Sequence, residues 1–216
     1  MTGLTNGEIP RSSINKIVLA SNNKNKLLEF EQLFKPMGIE VISMKAAGVN
    51  IDIIEDGETF EENAHIKAKT VFDITKLPTI ADDSGLEIDF LNGAPGIYSA
   101  RYAGEDATDL DKNNKVLAEM SDVDMPLRTA RFVCAIYFII SGEEEYSITG
   151  TVDGFISKEA MGNNGFGYDP IFLVEEGKSM AMLSEEEKNE ISHRAMAFKQ
   201  LKEIINSRKG LQTHDK

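Results

Sequence analysis

The stretch that decides the fold is residues 131–140, which read RFVCAIYFII. Successive side chains of a β-strand point to opposite faces of the sheet, so this run presents two rows of residues. Both rows are apolar: one is Phe132, Cys134, Ile136 and Phe138, and the other is Val133, Ala135, Tyr137 and Ile139. A strand that is apolar on both faces is covered on both sides, which predicts a central strand with helices on both faces of its sheet.

The chain that precedes this strand has the pattern of a βαβ unit. A β-branched run at residues 16–21 (KIVLAS) predicts a buried first strand, and residues 40–44 predict a second. The apolar residues between them recur at helical spacing, and they are Leu27, Phe30, Phe34 and Met37, with Gly38 as the stop. A strand, a helix and another strand favour an α/β fold.

Local signals predict the remaining elements. Thr59 and Glu62 have the spacing of a capping box, which begins a helix. The other predicted elements are three strands, at 79–82, near 146–156 after a turn at 141–142, and at 171–174. Two more helices are predicted, at 110–120 and from about Ser192. The long strands between 131 and 156 favour antiparallel pairing, so we expect a mixed sheet.

Composition excludes several classes of protein. The chain has 216 residues, 41% of them hydrophobic, which suffices for a large core, and its net charge of −13 is the wrong sign for a duplex-DNA binder. Its single cysteine, Cys134, allows neither an internal disulfide nor a cysteine-ligated zinc site and fits a cytoplasmic location. The longest apolar run is too short to span a bilayer. The first residues lack the apolar region of a secretory signal.

The strongest local signal for chemistry is the sequence Ala81-Asp82-Asp83-Ser84-Gly85. Adjacent carboxylates repel each other unless a cation or water lies between them, and sites in α/β folds collect at strand ends. Because neighbouring strand residues face opposite ways, both aspartates reach one cleft only if the backbone bends, and Gly85 permits a bend. The alternative is a solvated acidic turn.

Two further segments offer phosphate or metal contacts. Residues 21–26 (SNNKNK) join the first strand to the first helix, where backbone N–H groups and lysines attract phosphate, although an ordinary capped turn explains them as well. Glu55, just outside the next helix, is a candidate metal ligand within an acidic stretch that a solvated face also explains. Lys67 lies on that helix, at an edge that faces either a cleft or water.

The C-terminal third holds two more candidates. Residues 162–170 form a Gly-rich loop in which Phe166 either stacks on a planar base or packs into the core. His193 and Arg194 stand at the start of the last helix, soon after Lys188, and a salt-bridged helix start explains them equally well. His65 and His214 carry no signal of function.

In this order the motifs resemble the inosine triphosphate pyrophosphatase family, and the likeness extends from about Lys16 to Leu201. The motifs are SNNKNK (21–26), EDGETFEENAHIKAKT (55–70), ADDSGLEIDFLNGAPGIYSARYAG (81–104), GFGYDPIF (165–172) and SHRAMAFKQL (192–201). The resemblance implies an elongated mixed sheet, two lobes around a central substrate cleft, and a homodimer. We therefore expect an N-terminal extension at 1–14, one two-lobed domain at 15–208, and a polar tail at 209–216.

The resemblance also implies a reaction and its residues. Non-standard purine nucleoside triphosphates (ITP, dITP, XTP) would be hydrolysed to the monophosphate and pyrophosphate with Mg²⁺. Asp83 would accept a proton, Lys67 would assist with phosphate charge, and Glu55, Asp82 and Asp83 would bind the metal. The substrate contacts would be Ser21, Asn22, Asn23, Lys24, Asn25, Lys26, Ser84, Phe166, Gly167, Tyr168, Asp169, Lys188, His193 and Arg194. A pyrophosphatase for modified pyrimidine nucleotides and a non-catalytic nucleotide- or metal-binding module are the alternatives.

Overall fold

The structure, a computed structural model, describes residues 14–210, with side chains described up to residue 207. The N-terminal extension predicted for 1–14 lies outside the described residues except for Ile14, and so does the predicted tail from residue 211 onward, which includes His214. Within the described range, no helix is both long and apolar enough to cross a membrane.

Seven strands and five α-helices make up the described chain. The strands are β1 (Lys16–Leu19), β2 (Glu40–Ser43), β3 (Thr79–Ile88), β4 (Thr129–Ser141), β5 (Glu144–Ile156), β6 (Phe172–Glu175) and β7 (Lys178–Ser179). The helices are α1 (Lys24–Phe34), α2 (Phe60–Thr75), α3 (Asp109–Glu119), α4 (Glu185–Ile191) and α5 (His193–Gly210). Short 3₁₀ turns join several of them, including Gly96–Arg101 after β3 and Asp169–Ile171 before β6.

The strands form one mixed sheet in the order β2-β1-β3-β4-β5-β6-β7. The pairs β1–β2 and β1–β3 are parallel, whereas every pair from β3 to β7 is antiparallel. The predicted α/β class, the βαβ start and the mixed sheet are confirmed. One helix was missed: α4 begins at a capping box between Ser184 and Glu187 that we did not recognise in the acidic sequence.

The central strand β4 is covered on both faces, as its sequence predicted. Cys134 and Ile136 pack with Phe198 of α5 in one hydrophobic cluster. On the opposite face, Ala135 packs with Ala64 of α2 in another cluster. The two rows of apolar side chains therefore attach α2 and α5 to opposite faces of the same strand.

The cluster on the α5 face of β4 extends toward β2 at one end of the sheet, and another large cluster lies toward β7. One joins β1, β2, α1 and α5, and the other joins the end of β3, α3, β6 and the turns around β7. A cavity is lined by residues from both halves of the sheet, for example by Ala20 and Met44 near β1 and β2 and by Phe132 and Tyr168 of the second cluster. The expected division into two lobes around a substrate cleft stays a prediction.

The prediction that the third strand stops at Asp82 and bends at Gly85 is wrong. β3 continues to Ile88 and pairs residue by residue with β4, from Thr79 opposite Ile139 to Ile88 opposite Ala130. Gly85 serves a close approach instead of a bend. A Cβ atom there would lie 2.5 Å from the Gly96 carbonyl oxygen and 2.6 Å from Ser99 Oγ.

Helix α5 lies directly on β5 at Gly150. A Cβ atom added there would lie 2.3 Å from the Ala197 backbone nitrogen and 2.4 Å from the His193 carbonyl oxygen. Both are backbone atoms and cannot rotate away. We therefore expect Gly150→Ala to lower the free energy of unfolding by about 2 kcal/mol or more, as overpacking does, in urea denaturation.

The matched control is Gly142→Ala in the β4–β5 turn, where an added Cβ atom would have no neighbour within 4 Å. We expect this variant to unfold at nearly the wild-type urea concentration. Equal stabilities for the two variants would mean that α5 does not rest on the backbone of β5 at this point.

Candidate active site

Nearly all the residues singled out from the sequence line one cavity with a volume of about 480 Å³. They are Ser21, Asn22, Asn23, Asn25, Lys26, Glu55, Lys67, Asp83, Ser84, Phe166, Gly167, Tyr168, Asp169, Lys188, His193 and Arg194. Lys24 and Asp82 do not line it. The segments that provide these side chains are far apart in the sequence, so the fold assembles the cavity by long-range packing.

The loop after β1 is shaped by its own side chains. Asn23 caps α1, because its Oδ1 accepts hydrogen bonds from the backbone N–H groups of Asn25 (2.9 Å) and Lys26 (3.2 Å). Ser21 Oγ accepts one from the N–H of Asn23 (3.1 Å). These N–H groups are therefore occupied, and the charge that the loop offers to the cavity comes from the ammonium group of Lys26.

Asp83, Lys67 and Glu55 form a cluster beside this loop. Lys67 Nζ lies 2.8 Å from Asp83 Oδ1 and 2.8 Å from Glu55 Oε2. Lys67 is buried, and it points into the cleft rather than into water. Asn63, one turn earlier on α2, donates a long hydrogen bond (3.5 Å) to the second oxygen of Asp83.

Burial and charge shift the pKa values of this cluster. Burial raises the pKa of Asp83 above its usual range, and the nearby ammonium group of Lys67 only partly opposes this effect. Burial alone would lower the pKa of Lys67, but the carboxylates of Asp83, Asp82 and Glu55 raise it. Lys67 is thus a permanent cation, whereas Asp83 is a stronger base than a solvated aspartate.

Asp82 lies on the other face of the sheet. In the regular register of β3, Asp83 is opposite Ala135 on the α2 face and Asp82 is opposite Ile136 on the α5 face. There Asp82 Oδ2 lies 3.0 Å from Lys26 Nζ and 3.0 Å from Arg194 Nη2. The structure therefore separates Asp82 from Glu55, and a shared metal site with Asp83 would require these ion pairs to break.

Asp82 and Arg194 are fully buried, and Lys26 is largely buried. Burial alone would raise the pKa of this carboxyl, but Lys26 and Arg194 hold it well below the usual range. Ser84 Oγ also donates a hydrogen bond of 2.8 Å to Asp82 Oδ2. The remaining oxygen, Oδ1, has no hydrogen-bond partner among the described residues. Asp82 is thus a permanent anion that links Lys26 to Arg194 at the start of α5.

Glu29 of α1 completes this charge network, and the sequence analysis missed it. Its carboxylate contacts the guanidinium of Arg194 and lies 3.1 Å from Lys188 Nζ, which in turn lies 2.8 Å from Asp169 Oδ2. Burial alone would raise the pKa of Glu29, but Arg194 and Lys188 lower it below its usual value. One sequence signal existed: Glu29 is three residues after Lys26, on the same side of α1.

Phe166 is partly exposed on the cavity wall, with Lys188 Nζ 4.7 Å and Arg194 Cζ 5.9 Å from the ring centre. Its loop approaches Asp169 so closely that a Cβ atom at Gly165, where φ is +77°, would lie 2.0 Å from the carboxylate. This end of the cavity therefore combines an aromatic face with cationic donors.

His193 is buried next to this aromatic face, with its ring 4.8 Å from that of Phe132. Burial is the main cause that lowers the pKa of His193 well below 6.5, and the positive charges of Arg194 and Lys188 add to it. The imidazole is therefore neutral at pH 7, and its Nδ1 has no partner among the described residues.

Helix α3 holds the Phe166 loop through both backbone groups of Gly167. The Gly167 N–H donates to Asp109 Oδ2 (2.7 Å), and its carbonyl oxygen accepts a hydrogen bond from Asn113 Nδ2 (3.1 Å). Next to this clamp, the hydroxyl of Tyr168 donates to the Ser99 carbonyl oxygen (2.8 Å). Sequence reasoning missed Asp109 and Asn113 as site residues, because nothing in a helical pattern indicates which loop the helix contacts.

The carboxylates suit a magnesium ion only if the substrate supplies further ligands. No group of three or more acidic, histidine or cysteine side chains in residues 14–210 is arranged to hold a metal ion. Glu55 and Asp83 nevertheless contact the same ammonium group, that of Lys67, so their carboxylates are neighbours at the cavity wall. Mg²⁺ is commonly held by one or two carboxylates together with phosphate oxygens and water, and this pair fits that pattern.

The chain matches a protein-family model over most of its length. The model of the Ham1 family matches residues 17–204, which is most of the chain. The chain belongs to the Ham1 family. The family resemblance seen in the motifs is thereby confirmed.

Named relatives cover nearly the same region. A dITP/XTP pyrophosphatase of Bacillus licheniformis is 47% identical to this Ham1 chain over 192 residues, which is 88% of this chain and 98% of the relative. That of Bacillus subtilis is 47% identical over 191 residues, or 88% and 96%. The solved Ham1 protein of Staphylococcus aureus superposes with a TM-score of 0.81 at 42% identity, and the match covers 90% of this chain and all of that one.

The buried position of Glu29 makes the stability of this Ham1 protein depend on pH. Because its folded-state pKa is below the unfolded value of about 4.5, its ion pairs stabilise the fold above that pH. The contribution is lost as the pH falls through the folded-state pKa. We expect Glu29→Gln to be about 1–3 kcal/mol less stable at pH 7, and the difference from wild type to shrink in strong acid, measured by denaturation at several pH values.

Glu31→Gln is the matched control, because Glu31 is exposed on the same helix. Its stability should remain close to that of the wild type at every pH. A stability difference for Glu29→Gln that stays constant from pH 7 into strong acid would show that the charge of Glu29 does not stabilise the fold.

The two hydrogen bonds between α3 and the Gly167 backbone predict how readily the Phe166 loop opens locally. Asn113→Ala removes one of the two hydrogen bonds that fix Gly167, so we expect amide hydrogen exchange in residues 165–168 to accelerate about tenfold. Asn114→Ala, an exposed neighbour on α3, should leave that exchange unchanged. Equal exchange in the two variants would mean that α3 does not restrain the loop.

Proposed function

We propose that this Ham1 protein hydrolyses non-standard purine nucleoside triphosphates (dITP, ITP and XTP) to the monophosphate and pyrophosphate. The observation that carries the proposal is the shared cavity: the Asp83–Lys67–Glu55 cluster, the loop after β1 and the Phe166 face all line it. The names of the Bacillus relatives support the same reaction.

The phosphate tail binds between the loop after β1 and the cluster around Lys67. Lys26 lies at the start of α1, where the helix dipole adds partial positive charge to that of the ammonium group. Lys67 supplies a second cation on the opposite side of β3. A nucleotide whose tail lies between these two lysines places its α-phosphorus near Asp83 and its base toward Phe166.

Asp83 orients a water molecule and accepts its proton. The water oxygen bonds to the α-phosphorus, the bond between that phosphorus and the oxygen bridging to the β-phosphate breaks, and pyrophosphate leaves. The proton released by the water passes to the carboxylate of Asp83. A raised pKa suits this role, because it brings the proton affinity of the base closer to working pH.

Glu55 and Asp83 would hold a magnesium ion together with phosphate oxygens and water. When bound, the ion would supply positive charge to the phosphate tail. Asp82 was predicted to share this role, but its ion pairs with Lys26 and Arg194 support a different part. It fixes two cations that face the nucleotide.

Preference for a 6-oxo purine follows from the donors around Phe166. Two of the three N–H groups of Lys188 are directed at Asp169 and Glu29, so one remains for an acceptor on a base that stacks on Phe166. Hypoxanthine and xanthine present a 6-oxo acceptor, whereas adenine presents an amino donor there. Leaving a buried donor unpaired disfavours ATP strongly.

The same proposal includes a homodimer in the cytoplasm. The family resemblance supports the homodimer, and the molar mass in solution tests it. The only cysteine, Cys134, is buried, and burial raises its pKa to about 12. An unreactive thiol of this kind is compatible with a reducing compartment.

One assay tests the function. Purified protein with Mg²⁺ receives ITP, dITP, XTP, GTP, ATP or a modified pyrimidine triphosphate, and pyrophosphate and orthophosphate are measured separately. We expect pyrophosphate from the first three at much higher kcat/KM than from ATP. Preference for the pyrimidine would indicate the related pyrophosphatase, and binding without pyrophosphate release would indicate a non-catalytic module.

In that assay, Asp83→Asn should lose about a thousandfold in kcat, because the amide cannot accept the proton of the attacking water. Asp73→Asn changes an exposed carboxylate of α2 in the same way and should keep wild-type turnover. Near-normal turnover of a folded Asp83→Asn protein would remove Asp83 from the mechanism.

A further inference from the structure

Six basic side chains line the nucleotide cavity, and five of them already contact a carboxylate of the protein. These five are Lys26, Lys67, Lys112, Lys188 and Arg194. Five acidic side chains line the same cavity, so its charges nearly cancel before a nucleotide binds. A triphosphate carries several negative charges, and it gains most from a cation that needs no release from a carboxylate.

The sixth basic residue, Arg101, has no ion pair with any residue in the described part of the chain. It ends the 3₁₀ turn Gly96–Arg101 and is exposed. Its guanidinium lies over the ring of Tyr98, with Cζ 5.5 Å from the ring centre. Stacking of this kind uses the flat face of the guanidinium and leaves the N–H groups at its edge free to donate.

The position of Arg101 assigns it to the phosphate end of the cavity. A second cavity of about 1090 Å³ adjoins the first, and the residues common to both are Glu55, Ile97 and Arg101. Arg101 thus shares a wall with Glu55, which contacts Lys67. Phe166 and Lys188, at the base end, line the first cavity only.

We propose that Arg101 binds the terminal phosphates of the substrate and holds them as pyrophosphate leaves. An arginine can donate two parallel hydrogen bonds to phosphate oxygens, and these strengthen as negative charge builds up on the leaving group. The inference rests on the proposed function for its substrate. It gives a role to Arg101, which lies in the quoted motif at 81–104 but is neither among the site residues predicted from the sequence nor in the ion-paired network.

The test measures binding of inorganic pyrophosphate and of IMP, each with Mg²⁺, by titration calorimetry. We expect Arg101→Gln to weaken pyrophosphate binding by about tenfold or more, and to leave IMP binding within about twofold. Arg101→Lys should lose less, because it keeps the charge without the two-pronged geometry. The kcat/KM ratio of ITP to IDP should fall in the same order. Thermal unfolding confirms that both variants fold.

Arg131→Gln is the matched control. Arg131 lines the second cavity but not the first, and its guanidinium is paired with Glu87, Asp89 and Asp153. The Arg131→Gln protein should bind pyrophosphate as tightly as the wild type.

Three results would overturn the inference: undiminished pyrophosphate binding by Arg101→Gln, an equal loss of IMP binding, or no pyrophosphate binding by the wild type. A wild type that binds pyrophosphate through Arg101 yet releases none from ITP would refute the proposed function and leave the binding role of Arg101 standing.

Discussion

Two adjacent aspartates are buried in the middle of a sheet, in a protein whose net charge is already −13. Such a pair is costly unless each carboxylate finds its own cation. The regular pleat of β3 resolves the conflict, because it sends Asp82 toward α5 and Asp83 toward α2. Lys26 and Arg194 then pair with Asp82, and Lys67 pairs with Asp83. The rest of the site depends on this division.

The division also connects the two ends of the cavity. Asp82 contacts Lys26 and Arg194. Arg194 contacts Glu29, and Glu29 contacts Lys188, whose ammonium group lies over the ring of Phe166. These contacts form one continuous network of charged groups from Lys26 to the ring of Phe166. Removal of one member of a buried ion pair leaves its partner with an uncompensated charge. The loss of one member of this network therefore changes the charge at both ends of the cavity.

The sequence was sufficient for the elements whose signals are local or periodic. The two apolar rows of β4 and the capping box of Thr59 predicted a covered central strand and the start of α2, and both are present. The course of β3 was not predictable in this way, because Gly85 suits a bend and a close approach equally well. The choice depends on Ser99 and Gly96, which reach Gly85 only after the chain has folded.

The same reason explains which site residues the sequence revealed. Asp83, Lys67 and Lys188 were found because they lie in or beside motifs whose order along the chain resembles a known family. Glu29 and Asn113 act only through their partners: Glu29 holds Arg194 and Lys188, and Asn113 holds the carbonyl group of Gly167. A helical pattern shows which face of a helix is apolar, but it does not show which polar group will be opposite the other face.

The balance of charge in the cavity shapes how a nucleotide can be recognised. Most of the basic side chains there are held by carboxylates, so an isolated phosphate finds few unpaired cations. In the proposed reaction, the phosphate tail would replace carboxylate oxygens at Lys26 and Lys67 while the base stacks on Phe166. Each of these exchanges alone would gain little over the carboxylate interaction it replaces. Under the proposed function, the pairing of the cavity's own charges would therefore favour a ligand that makes all of these contacts together.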